Sequence, residues 1–532
     1  MTKKVLVLGG GVAGLTVAHE CREAGAEVII CEKDARWGGK VLAYRLGADS
    51  VAPGAPVEHS LRTFHSSYFS LFETMRRIPL GAGTPFDAIT PVRALTLIDG
   101  ADVSRMARVD TDLRQPPHRR ARALWRAMGA FGVPWRDSLS WFGTIGAYIL
   151  SGKTRRRRIA ARRVDDLLDF DRRSEAFRTF ILSLVDIIFG AKRDASAAVV
   201  VDMFARLALV RLGTVDPLRF MTNTANGPVN ECFIDPWVTH LKAMGVEMRE
   251  GAAAAEVEWE GSGETHAPIA VRLSDGERIE ADAFVFAVSP AAMASLLPEF
   301  YAKSVLPEMR RTWSAGAQFF CRRFPETLGP RDSFSLVVGS AWSIIYLIET
   351  PSLWRNVAMP DEIEGVLSVT VSSFDTPGVL YGKTFWQCSW EEAQNEILAQ
   401  IGFADSGAIV GAHLDTHLRR IRSEEYLEGS DGIYHGWEIS PEYDGHVWVF
   451  ATPLWIFSPE SGVDGIVAKT SIPRLFVAGE FSATSTKQPT MEKANQAGKL
   501  CAAAVLAELG LPYDRRRVER PLSGRLARWL YP

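Results

Sequence analysis

The stretch "VLVLGGGVAGLTVAHECREAGAEVIICEKD", Val5 to Asp34, limits the fold more than any other part of the chain. Val5–Leu8 is an unbroken apolar run, the pattern of a parallel strand buried on both faces. Gly9-x-Gly11-x-x-Gly14 follows at once. Leu15, Val17, Ala18 and Cys21 then give the apolar face of a helix ending near Gly25. A second run, Glu27–Cys31, stops at the acid Glu32. Strand, glycines, helix, strand and acid in this order predict a dinucleotide-binding βαβ unit. Gly9 permits the tight turn, Gly11 lets backbone approach a pyrophosphate, and Gly14 lets the helix pack closely on the strand. Val12 and Ala13 open the helix, whose unpaired N–H groups favour phosphate. Glu32 follows Gly14 by 18 residues, the place of an acid that accepts hydrogen bonds from ribose hydroxyls. A carboxylate there disfavours NADP. Alone, these residues fit NAD as well as FAD.

A chain of 532 residues exceeds one ordinary core, so two or more domains are expected. The net charge of −3 gives no overall preference for nucleic acid, which is not an expected partner. Cys21, Cys31, Cys232, Cys321, Cys388 and Cys501 are widely spaced. That pattern predicts neither a disulfide framework nor a zinc site, and no bound metal is expected. The opening "MTKK" lacks signal-peptide architecture, and no run of ~18 apolar residues occurs. A cytoplasmic location is expected. Peripheral contact at the inner membrane face stays open, because "HRRARALWRAMGAFGVPW", "SWFGTIGAYILSGKTRRRRIAARR" and the tail "RRRVERPLSGRLARWLYP" mix cations with aromatics. Patterns for GxSxG hydrolases, HExxH metalloenzymes, P-loops and a second GxGxxG are absent.

Lys33 flanks the ribose acid, and Gly38-Gly39-Lys40 follows as a second glycine pair with a cation. This spacing resembles the flavin amine oxidase and phytoene desaturase superfamily. The resemblance implies bound FAD, with the second loop beside its pyrophosphate and ribitol. "IPRLFVAGEFSATSTKQPTMEKANQAGKLCAAAVLAEL" (Ile472–Leu509) is similar to the superfamily's C-terminal flavin motif. There Gly479-Glu480 ends a strand, and the acid implies contact with ribitol and pyrophosphate. Thr490, Met491 and Glu492 open a helix whose positive end faces the flavin ring. Strands returning through the middle of the chain imply that backbone near Ala254 to Val257 meets the adenine end. "VEHSLRTFHSSYFSLFETMRRIPL" (Val57–Leu80) resembles a bacterial branch of phytoene desaturases and hydroxysqualene dehydroxylases. It places Glu58, His59, Ser60 and Arg62 near the cofactor. Ser60, Thr63, His65, Ser66 and Ser67 depart from that branch. Glu58 and His59 are also candidates for acid–base work, since imidazole titrates near ~6.5.

The fold class implied is α/β, a Rossmann-like FAD-binding domain of the GR2 type with an inserted α+β substrate domain. The cofactor domain is expected in three parts, residues 1–90, 221–300 and 466–512. Residues 91–220 form the helical part of the substrate domain, 301–465 its mixed sheet, and 513–532 a basic tail. "HGWEISPEYDGHVWVFATPLWIF" supplies pocket candidates Trp437, Trp448, Trp455 and Phe457. The expected function is abstraction of hydride from a largely apolar small molecule. Desaturation of an isoprenoid or similar intermediate leads, ahead of amine oxidation and of dehydroxylation or isomerisation. A flavin-bearing scaffold is the non-enzymatic alternative.

Overall fold

The computed structural model describes residues 2–213, 218–355, 357–415, 417–423, 425, 445–450, 453–462, 464–514 and 517. In chain order, the elements that place the site are β1 (Lys4–Leu8), α1 (Val12–Glu23), β2 (Glu27–Cys31), α2 (Phe69–Met75), β3 (Ala94–Asp99), β4 (Met106–Asp110), α3 (Pro117–Ala130), α4 (Trp135–Ile149), α5 (Lys153–Ala160), α6 (Glu175–Phe189), α7 (Ala197–Gly213), β5 (Glu247–Arg249), β6 (Ala283–Phe286), β7 (Ala315–Cys321), β8 (Ser333–Val338), β9 (Ile344–Glu349), β10 (Gly365–Val371), β11 (Ile409–Leu414), β12 (Leu475–Val477) and α8 (Met491–Leu509).

The first sheet is all parallel, in the order β5-β2-β1-β6-β12. Val5, Leu6 and Val7 are fully buried, because helices cover one face of this sheet and a three-stranded antiparallel sheet (Ala254–Glu260, Ala267–Leu273, Arg278–Glu280) covers the other. Its strands come from the beginning, middle and end of the chain. The unit closes where α8 crosses α1: Asn495 Nδ2 donates to Thr16 Oγ1 at 2.9 Å and to Thr74 Oγ1 at 3.0 Å. Buried Glu492 accepts from the backbone N–H groups of Ser70 and Leu71, at 3.0 and 2.8 Å, and so caps α2.

The second sheet has seven strands in the order β11-β7-β10-β9-β8-β3-β4, antiparallel except for β3 with β8. Two of these strands, β3 and β4, lie inside the segment expected to be helical. "ALTLID" buries residues on both faces at the sheet's interior, so it shows no clean alternation to mark it. Helices α3 to α7 follow and cover one end of this sheet. Of the expected basic tail, only Tyr513, Asp514 and Arg517 are among the described residues. Arg517 contacts Glu23 and lies 3.4 Å from Glu20, both on α1.

Candidate functional site

One cavity of about 1130 Å³ runs between the two sheets. That exceeds the ~300–1,000 Å³ usual for a small ligand, as an extended cofactor plus substrate requires. Gly9, Gly11, Val12, Ala13, Glu32, Lys33, Gly38, Gly39, Lys40, His59, Ser60, Arg62, Ala254, Gly479, Glu480, Thr490 and Met491 all line it. Gly14, Glu58 and Val257 do not. Gly14 acts behind the wall: a Cβ there would overlap the Gly9 carbonyl, so only glycine lets α1 start this close to β1.

The nucleotide end is made of backbone. α1 begins at Gly11 with no side-chain cap, which leaves its first N–H groups for an anion. Glu32 Oε2 accepts from Gly10 N at 2.7 Å and Oε1 from Asp34 N at 3.0 Å, and this fixes the carboxylate at the rim. Gly38 adopts φ +118°, and its N–H donates to Gly10 O at 3.0 Å, which lays the second glycine loop along the first. Lys40 ties the loop to the far end of the chain. Its ammonium contacts Glu480 and donates to Pro453 O at 2.7 Å. Thr490 Oγ1 accepts from Lys493 N at 3.2 Å and starts α8 at the cavity wall, with the helix's positive end toward the space. Uncapped helix start, anchored carboxylate and paired glycine loops together fit FAD.

A polar wall stands beside these loops. His59 Nδ1 contacts Asp415 Oδ2, and His417 Nδ1 lies 3.0 Å from Asp415 Oδ1. His417 N also donates to Oδ1, at 2.9 Å. The imidazoles meet edge to face with centroids 4.8 Å apart. Burial opposes ionisation of Asp415, yet His59 and His417 outweigh it and hold the carboxyl well below the usual range. Burial also lowers His59, and the attraction of Asp415 only partly offsets this. The pair is therefore an ionised carboxylate and a neutral imidazole. Nε2 of His59 hydrogen-bonds to no described residue. His65, also in the lining, is pushed by burial down to about 4 and stays neutral.

Glu58 sits one layer back. Its Oε1 accepts from Val229 N at 2.7 Å, and its N–H donates to Gln318 Oε1 at 2.8 Å. Burial raises its carboxyl to about 7 despite nearby Arg62. Glu349 is raised as well, by burial and by Glu58 itself. Arg62, buried among Glu58, Asp415 and Glu349, compensates this cluster and presents its edge to the cavity.

The far end of the cavity is mainly apolar, with Asp110, Thr111 and Arg120 as its polar exceptions. Leu124 of α3, Trp141, Phe142 and Ile145 of α4, Phe204 and Leu207 of α7, Leu95 of β3, Phe334 of β8 and Ile345 of β9 line it. The three aromatic pocket candidates among the described residues lie elsewhere. Trp455 and Phe457 are buried outside the lining, with Lys493 Nζ 4.0 Å from the Phe457 ring centroid. Trp448 sits in a two-stranded antiparallel sheet and donates to Cys388 O at 3.0 Å. Trp437 lies outside the described residues. Asp415 and His417 were missed by the sequence reading; the spacing His-x-Asp-x-His at 413–417 was the available signal.

The model of the family "Flavin containing amine oxidoreductase" matches residues 12–506. Among solved structures, a putrescine oxidase variant superposes with a TM-score of 0.62 at 15% identity, covering 95% of this chain and 99% of that one. Cyclohexylamine oxidase from Brevibacterium oxydans gives a TM-score of 0.58 at 15% identity, covering 96% and 100%. At that identity the likeness concerns the fold. Curated relatives match only short segments. The flavin-dependent L-tryptophan oxidase RebO of Lentzea aerocolonigenes is 49% identical over 51 residues, 10% of this chain and 11% of that protein. The carotenoid phi-ring synthase of Chlorobaculum tepidum is 31% identical over 80 residues, 15% and 12%. With a family match over nearly the whole chain, and glycine loops, ribose acid and helix starts gathered on one cavity, this protein belongs to the flavin-containing amine oxidoreductase family and is an FAD-dependent oxidoreductase.

Proposed function

We propose that this oxidoreductase desaturates a largely apolar substrate, an isoprenoid or a similar natural-product intermediate. The observation that carries the reading is the apolar far end of the cavity, walled by Leu95, Leu124, Trp141, Phe142, Phe204 and Phe334. Asp110 is the one carboxylate of that end; it is exposed and already accepts from Asp112 N and Gln115 Nε2, so a small cationic amine would find little in the apolar depth to offset its desolvation. The short match to a carotenoid phi-ring synthase supports the same class.

Gly9, Gly11, Gly38 and Gly39 would hold the cofactor's pyrophosphate by close backbone approach, and Glu32 would accept from its ribose. When bound, FAD supplies the two-electron acceptor for a hydride leaving a substrate C–H bond. The start of α8 at Thr490 and Met491 favours negative charge developing nearby. His59 takes the proton from the adjacent carbon at Nε2, and the electron pair left behind becomes the new C=C bond. Asp415 holds the His59 ring by Nδ1 and stabilises the imidazolium that forms. The apolar wall excludes water and orients the chain of the substrate.

Anaerobic bleaching of the purified yellow protein tests this. Linear isoprenoids should reduce the flavin, whereas putrescine, cyclohexylamine and L-tryptophan should not. Bleaching by the amines alone would replace desaturation with amine oxidation.

A further inference from the structure

We propose that α3, α4 and α5 form a docking surface for an anionic lipid bilayer, independent of which substrate the enzyme takes. Between Arg114 and Arg163 the chain carries twelve arginines and one lysine against a single carboxylate, Asp137, in a protein whose net charge is −3. Asp137 is buried and accepts from Ser174 Oγ at 2.7 Å, so it screens nothing outside. Arg119, Arg122 and Arg126 fall on one exposed face of α3 at spacings of three and four residues, and Arg155 and Arg158 are exposed on α5. Among the described residues these five form no ion pair, while neighbouring Arg157 has only the exposed Asp464 at 3.5 Å.

Charge alone would suit any acidic polymer. The second observation favours lipid. Trp135, Leu139 and Leu150 are 61%, 56% and 69% exposed. At the helical repeat, Trp135, Leu139, Phe142, Gly143, Gly146 and Leu150 share about 100° of arc on α4. That face carries no charged side chain, and its one polar side-chain group is the Trp135 indole N–H, which suits the headgroup level of a bilayer. The opposite face buries Trp141, Ile145 and Tyr148 in the core. An uninterrupted apolar stripe flanked by cations matches the interface between headgroups and acyl chains.

The three helices are contiguous. Trp125 of α3 stacks on Phe142 of α4, with centroids 5.9 Å apart, and Arg156 of α5 lies 5.0 Å from the Tyr148 ring. Phe142, half-buried at the edge of this stripe, lines the cavity, as do Arg120, Ala121 and Leu124 of α3. The docking surface thus adjoins the apolar end of the site. Among the described residues no helix is long and apolar enough to cross a membrane, so the contact is peripheral.

Flotation of the flavin-loaded full-length protein with phosphatidylcholine vesicles, with and without phosphatidylglycerol, tests the proposal. Binding should require phosphatidylglycerol. The triple change Trp135→Ser, Leu139→Ser, Leu150→Ser should lower the bound fraction at least ~tenfold, with flavin absorbance retained. Arg119→Gln, Arg122→Gln and Arg126→Gln together should lower it and flatten its salt dependence. A control triple at another exposed apolar patch, Val379→Ser, Leu380→Ser and Tyr381→Ser, should leave binding intact. Failure of the wild type to float with anionic vesicles overturns the proposal. So does equal loss in the control. Binding that the arginine changes abolish and the serine changes leave untouched assigns the surface to an acidic macromolecule instead, and likewise overturns it.

Discussion

The two ends of the cavity are built by different means. At the nucleotide end the contacts are backbone, and the side chains that matter are mostly absent ones, at Gly9, Gly11, Gly38 and Gly39. At the substrate end the contacts are side chains from α3, α4, α7 and the seven-stranded sheet. Backbone recognition leaves a local signature, because each glycine is needed by its own turn. Side-chain recognition leaves none, because any apolar residue of suitable size fills the place.

The largest effect should come from breaking the backbone end. Gly14→Val would drive side-chain atoms into the Gly9 turn. We expect loss of bound flavin and destabilisation of ~3 kcal/mol or more, read by visible absorbance and thermal melting. Next comes the polar wall between the two ends. His59→Gln and Asp415→Asn should each retain flavin but slow its anaerobic reduction ~100-fold. The pH profile separates this from a structural role. His59 is held below the ordinary imidazole value, so the acid limb should fall below ~6.5. Asp415 raises His59 toward that value, so Asp415→Asn should move the limb still lower.

A smaller effect belongs to the layer behind the wall. Glu58 titrates near about 7 when folded, above the ordinary carboxyl value of ~4.3. A raised value means that the folded protein binds the proton more tightly than the unfolded chain does. The stabilisation is complete below the unfolded value and is lost as pH rises through about 7. Glu58→Gln keeps an acceptor for Val229 N and should flatten that part of the Tm curve. The smallest effect should be Trp448→Phe, outside the cavity. Loss of the bond to Cys388 O should cost ~1 kcal/mol and leave flavin reduction unchanged. A large kinetic effect there would show that the boundary of the substrate end lies elsewhere.

The same contrast explains what was legible in the sequence. β1, α1, β2 and Glu32 could be read within thirty residues, since the chemistry and the spacing are local. Gly38-Gly39 and Gly479-Glu480 were legible as motifs, but their meeting through Lys40 was not. His59 was visible as a candidate only. Its partner Asp415 arrives from beyond β11, and no local pattern announces a contact between such distant segments. The tryptophans near residue 450 misled for a related reason: large aromatics mark a core as readily as a pocket. β3 was hidden because a strand buried on both sides carries no period of two.

The ion pair between Lys40 and Glu480 has a consequence for synthesis. Chain growth makes the first glycine loops early, yet the wall they need, from Gly479 to α8, emerges near the end of the described sequence. α2 waits as well, because its cap is Glu492. A nascent chain therefore offers the cofactor half a site for most of its translation, and flavin capture coincides with the docking of the last helix. Truncations before Glu480 should accumulate as colourless protein, however well their first βαβ unit folds.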